Sequence, residues 1–150
     1  MTAGAQPSGS GRVQGGRQDG PRWAAEAVAL VATGPARGDR GVRLDYSVRS
    51  LVLVDRIVES ARRQNTPYEK VAGVLLGFGA YTGEVLVKAA GAQWVDFDEA
   101  QQCFFGRPFG VRTPDGRVWN PLGKAFKRFR HGPEESLHRF CLAVMGQARI

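Results

Sequence analysis

Residues 66–91 read TPYEKVAGVLLGFGAYTGEVLVKAAG, the longest periodic apolar stretch in the chain. Val71, Val74, Leu75, Phe78, Tyr81 or Thr82, Val85 and Leu86 keep helical spacing over four turns, so one face of a long helix is apolar. Thr66-Pro67-Tyr68-Glu69 matches a capping box with proline in the first turn, which predicts the helix start, and Gly91 predicts its end. The internal glycines at 73, 77, 79 and 83 each cost about 1 kcal/mol relative to alanine, so they need a packing reason. Gly73, Gly77, Ala80 and Glu84 lie along one side, and small residues so spaced admit another backbone at close range. Glu84 ends that groove, where a covered carboxylate must be paired or hydrogen-bonded. The expected role is an anchor from this helix to the sheet or to an arginine, with ligand or catalytic duty as the alternative.

Upstream, Val42 to Tyr46 reads as a short extended segment and Ser47 as an N-cap. The helix after it carries Val48, Leu51, Val54 and Val58 on one stripe, widened by Leu53, Ile57 and Ala61, with Arg49, Arg56, Arg62 and Arg63 placed where they can face water. It should end near Gln64-Asn65. Downstream of Gly91 the period shortens towards two through residues 93–97, 102–105, 109–112 and 117–119. Thr113-Pro114-Asp115-Gly116 has proline and glycine where a type I turn wants them, so these four segments predict an antiparallel meander. Asn120-Pro121 opens a helix with Leu122, Ala125, Phe126 and Phe129 on its apolar stripe. His131-Gly132-Pro133 ends it, and Glu134-Glu135 should open another, with Leu137, Phe140, Cys141, Val144 and Met145 inward.

The expected fold is α+β: two N-terminal helices, a small antiparallel meander and a C-terminal helical hairpin, all within one globular domain over residues 44–146. Residues 1–43 read as a low-complexity head, polar and glycine-rich over 1–22, with a short Ala-rich helix at 24–33 and a flexible GPARGDRG linker after it.

Charge is uneven along the chain. The net +7 comes from the head and from residues 107–150, which hold nine Lys/Arg against three acids, whereas residues 44–106 are slightly acidic. Two cysteines, Cys103 and Cys141, are too few for a disulfide scaffold and suit a reducing cytoplasm. His138 and Cys141 share a helical face, but a zinc site needs two further ligands, and no metal or cofactor is expected. The longest uncharged apolar run, Val71 to Gly83, falls short of the ~20 residues that span a bilayer, so no membrane association is expected.

Several chemistries fit poorly. The glycines at 73–79 lie within a helical period and lack a following Lys-Ser/Thr, unlike a phosphate loop. Both histidines fall in the C-terminal hairpin with no nucleophile motif beside them, so no catalytic residue is assigned. Asp45, Asp55, Glu84, Asp96, Asp98 and Glu99 gather in the middle of the chain, where a close pair could do acid/base work. Simpler roles are a cap near Ser47 for Asp45, a surface or hydrogen-bonding position for Asp55, and a solvated turn for residues 96–99.

Leu44-Asp45-Tyr46-Ser47, Ser50-Leu51, Asp55, the GAYTGEV segment at 79–85, Trp94, NPLGKAFK at 120–127 and GPEESL at 132–137 occur in this order. Together they resemble an uncharacterised domain family of actinobacteria, loosely akin to the immunity domains of polymorphic toxin systems. The likeness spans residues 44 to 145. It implies one compact domain and a protein partner to be neutralised, and it carries over no catalytic residue.

The remaining functional surface is basic. Arg107, Arg112, Arg117, Lys124, Lys127, Arg128 and Arg130 are interleaved with Phe109, Trp119, Phe126 and Phe129. Lys124, Lys127, Arg128 and Arg130 fall largely off the apolar stripe of their helix and are the candidate binding residues. The expected function is a non-catalytic interaction module for a protein with an acidic face. Nucleic-acid binding through the same basic helix is the alternative, and an enzyme using Glu84 the third reading.

Overall fold

The computed structural model describes residues 15–34 and 43–148. Expectations for residues 1–14 and 35–42 lie outside the described residues. Among the described residues, six α-helices and one sheet occur in the order α1 (Asp19–Thr33), α2 (Leu51–Arg63), α3 (Tyr68–Ala90), β1 (Gln93–Asp96), α4 (Glu99–Phe105), β2 (Phe109–Arg112), β3 (Val118–Trp119), α5 (Pro121–His131) and α6 (Leu137–Ala148). The architecture is α+β, with the three strands in the order β1-β2-β3 and both pairings antiparallel. Register sets Trp94 opposite Val111 and Val111 opposite Trp119.

Helix α3 runs through the core, touching α1, α2, α5, α6 and the first two strands. Leu75, Phe78, Ala80, Tyr81, Thr82, Val85 and Leu86 are buried along it, which is why its apolar residues cover more than one face. Each fully buried Leu or Phe of this kind contributes about 1.5–3 kcal/mol. By length and composition α3 could cross a bilayer, but half of its most apolar window is buried inside the protein. Gly91, at φ 71°, ends the helix in the left-handed conformation.

The capping box expected at residues 66–69 does not form. Pro67 is extended, with ψ 140°, and is itself the N-cap, with no side-chain capping bond. Thr66 is thereby one residue too early to reach the orphan amides, and Glu69 stays exposed. The capping box that does form is at Asp98 and Gln101, each side chain accepting the other's backbone N–H, at 2.8 and 2.9 Å. It opens α4, so residues 102–105 are helical where alternation predicts a strand, and Asp98 is a cap where a solvated turn is expected. The meander accordingly has three strands, with α4 set between the first and second.

The head helix is longer than expected and belongs to the core. It begins at Asp19 and buries Gly20, Ala24, Ala27 and Val31 as one stripe, with Gly20 against the Trp94 ring and Ala27 Cβ within contact of Gly77 of α3. Trp23 packs on Phe109 at 5.5 Å between ring centroids, and Arg17 N–H donates to Asp96 Oδ1 at 2.7 Å. Its buried face is mostly Gly and Ala, so hydrophobic content understates how closely it docks.

Residues 43–47 form a bend instead of an extended segment, with Tyr46 at φ 67°. Tyr46 is held there by its N–H donating to the Tyr81 hydroxyl at 2.7 Å and by stacking on the Tyr81 ring. Ser47 does cap, accepting from Ser50 N–H, and a 3-10 turn over Val48–Ser50 leads into α2. Buried Leu51, Leu53, Val54 and Val58 then face the core.

Candidate functional site

The glycines of α3 do not share one groove. A methyl group on Gly79 would stand 2.6 Å from Leu122 Cα of α5, one on Gly83 would enter the Trp94 ring, and Gly73 faces open space. Gly77 meets α1. Close packing is the reason for three of the four, but each admits a different neighbour. Gly83 and Gly20 flank the Trp94 indole, forming a slot that any side chain would fill.

Glu84 sits beside that slot. Its Oε1 accepts from Trp94 Nε1 at 2.9 Å, tying α3 to β1, and Oε2 lies 3.8 Å from Lys88 Nζ. The side chain is only 16% exposed, and both oxygens face partners within the fold. Nearby, Asp45 Oδ1 accepts from Ser47 N–H at 3.1 Å, and hydrogen bonding to Ser47 holds its carboxyl below the usual range. The Tyr81 hydroxyl, 2.5 Å from Ser50 Oγ, is pushed up to about 12 by burial.

Asp55 has a structural task that spans the chain. Its carboxylate accepts from Ser136 Oγ at 2.8 Å, Leu137 N–H at 2.9 Å and His138 N–H at 3.2 Å, capping α6 from a residue 82 positions before Leu137. Glu134 and Glu135, expected to open that helix, instead form a 3-10 turn over Pro133–Glu135. The negative charge at the positive end of α6 is thus supplied from α2.

Arg128 differs most from its expected place. Its side chain is 5% exposed, donating from Nη1 to Glu59 Oε1 at 2.8 Å and from Nη2 to the Asp55 carbonyl at 3.2 Å. Its Nε is ion-paired to Asp55 Oδ1 at 3.3 Å but lies outside hydrogen-bonding geometry. Glu59 also accepts from Arg62 and Arg63, and the Arg62 and Arg128 bonds hold its carboxyl down at about 2. Arg128 therefore joins α5 to α2 and leaves the exposed basic face to its neighbours.

The other three candidate cations line one cleft of about 490 Å³, bounded by the end of α4, β3 and α5, with Phe140 of α6 in its wall. Lys127 and Arg130 are exposed; Lys124 is bound to the Glu135 carboxylate, which it holds below its usual range, and lies 5.7 Å from the Phe140 ring. Arg107 lines the same cleft, its guanidinium 4.2 Å from the centre of the Phe126 ring. Phe104, 82% exposed, stands at the rim, and Phe105 and Trp119 complete the apolar lining. Asn120 fixes the two walls: Oδ1 caps α5 at Gly123 N–H, 3.0 Å away, and Nδ2 donates to Phe105 O at 3.3 Å.

The basic helix is legible in sequence, whereas the contribution of Phe104 is not, because a strand reading of 102–105 hides which of its residues face outward. Among the described residues, no three His, Cys, Asp or Glu side chains gather to hold a metal ion. Compared with known proteins, the chain matches no family model, no curated protein and no solved structure.

Proposed function

We propose that this chain is a non-catalytic interaction domain that binds a protein partner bearing an acidic face, using the cleft between α4 and α5. The observation that carries this reading is the lining itself: Arg107, Lys124, Lys127 and Arg130 around an apolar floor. The nearby Glu135 carboxylate is taken by Lys124, so the rim keeps a positive balance. A cleft tied at both walls by Asn120 also lowers the ordering cost of binding.

Ring geometry favours a protein over single-stranded nucleic acid. Base stacking needs open aromatic faces along a basic track. Phe126 is buried and covered by Arg107, Tyr68 has Arg130 over its ring, and Phe105 stacks with Phe97 at 4.8 Å. Of these rings Phe104, at 82%, is far more exposed than Tyr68, at 43%. If the loose resemblance of residues 44 to 145 to immunity-type domains extends to function, neutralisation of the partner is the outcome. The third reading, an enzyme using Glu84, has less support because that carboxylate is engaged by Trp94 and Lys88 and does not line the cleft.

Titration with polyglutamate and with oligodeoxythymidylate, each at rising salt, tests the reading. Polyglutamate should bind and lose affinity when Lys127 and Arg130 are both changed to Glu. Tighter oligodeoxythymidylate binding, lost in the same variant, would establish the nucleic-acid alternative in its place.

A further inference from the structure

Taking the acidic-partner reading as its basis, we infer that the cleft recognises a short segment in which an aromatic side chain is flanked by carboxylates. Charge alone would not require what the structure provides. Lys127 and Arg130 stand on α5 and Arg107 follows α4, and the apolar lining of the same cleft includes Phe105, Trp119 and Phe140. A volume of about 490 Å³ admits one bulky ring with the adjoining backbone.

Each wall addresses one part of such a segment. Phe104, projecting at the rim with 82% of its surface exposed, meets Phe105 edge-on at 5.0 Å, leaving the Phe104 ring to close over an inserted aromatic group. Lys127 and Arg130 lie three residues apart, on one face of α5, so they address carboxylates on the same side of the inserted ring. Arg107, which follows α4 and is held against Phe126, offers its guanidinium to a further carboxylate. Lys124 is bound to Glu135 and steadies the floor at Phe140, so it is a positioning residue for the socket.

The test uses the full chain and two fluorescein-labelled pentapeptides in an anisotropy titration: one with a central phenylalanine between pairs of glutamates, one with serine at the centre. The phenylalanine peptide should bind about tenfold more tightly than the serine peptide. Phe104→Ala should remove most of that preference, weakening the phenylalanine peptide several-fold more than the serine peptide, and Lys127→Glu with Arg130→Glu should weaken both. Equal binding of the two peptides overturns the aromatic socket and leaves the acidic-partner reading standing. No binding of either, with oligodeoxythymidylate bound instead, overturns both. Circular dichroism of Phe104→Ala, an exposed position, separates loss of the socket from loss of fold.

Discussion

Trp94 Nε1 donates to Glu84 Oε1 at 2.9 Å, with the indole lodged between Gly20 of α1 and Gly83 of α3. One hydrogen bond and two missing side chains thus join the head helix, the central helix and the first strand. Glu84→Gln retains an acceptor for the indole and should cost under about 1 kcal/mol, whereas Glu84→Leu leaves the N–H without its partner and should cost about 1–3 kcal/mol. Urea unfolding of the two variants measures the difference.

Two glycines on the same helix should respond in opposite senses. Gly73→Ala meets nothing within 4 Å and should stabilise by about 0.5–1 kcal/mol through helix propensity and unfolded-chain entropy. Gly79→Ala would press on Leu122 Cα and the Pro121 carbonyl, both backbone, and overpacking of that kind costs about 1–3 kcal/mol. Thermal unfolding of the pair should move Tm up for the first and down for the second.

Arg128 and the Asp55–Glu59 pair should behave as one unit. Arg128→Ala leaves two carboxylates facing a vacated interior and should cost about 3 kcal/mol. Asp55→Ala removes the acceptor of Leu137 and His138 N–H and should cost about 1–2 kcal/mol from lost capping, before any effect on Arg128. A double-mutant cycle should give a coupling of about 1 kcal/mol or more, since the two share a salt-bridge network.

Acid should loosen the same junction. The Glu59 carboxyl is lowered from 4.5 to about 2 in the folded protein, chiefly by Arg62 and then Arg128. The unfolded chain therefore takes up this proton first as pH falls, so the stabilisation is fully present above 4.5 and is lost on descending towards 2. Glu59→Gln lacks that dependence. The Tm gap between wild type and variant should be widest near neutrality and narrow steadily below 4.5.

The two thiols should separate by accessibility. Cys103 is exposed on α4, whereas Cys141 is fully buried and pushed up to about 12 by that burial. At pH 8 a disulfide reagent should titrate one thiol in the native protein and the second only after unfolding.

Local signals were legible where they were complete within a few residues. Asn120-Pro121 opens α5, Ser47 caps, Thr113–Gly116 turns, and α3 follows its apolar period. Residues 66–69 and 98–101 show the limit of that reading. Both present a capping pattern, and only the second closes, because Pro67 takes an extended backbone that moves the helix start one residue on. The basic face was legible as composition, but not the burial of Arg128, whose Lys and Arg neighbours on α5 carry the same charge.

Period and turn chemistry act over short distances, so the α+β class, the central helix and the placement of basic and aromatic residues on α5 could be read from the residues alone. The packing of the whole chain settled that α1 belongs to the core, that Asp55 caps a helix 82 residues ahead, and that Arg107 and Phe104 line one cleft with Lys127. Those outcomes depend on which surfaces meet. A glycine is a gap until a tryptophan fills the space beside it, and an arginine is a surface charge until two carboxylates close around it.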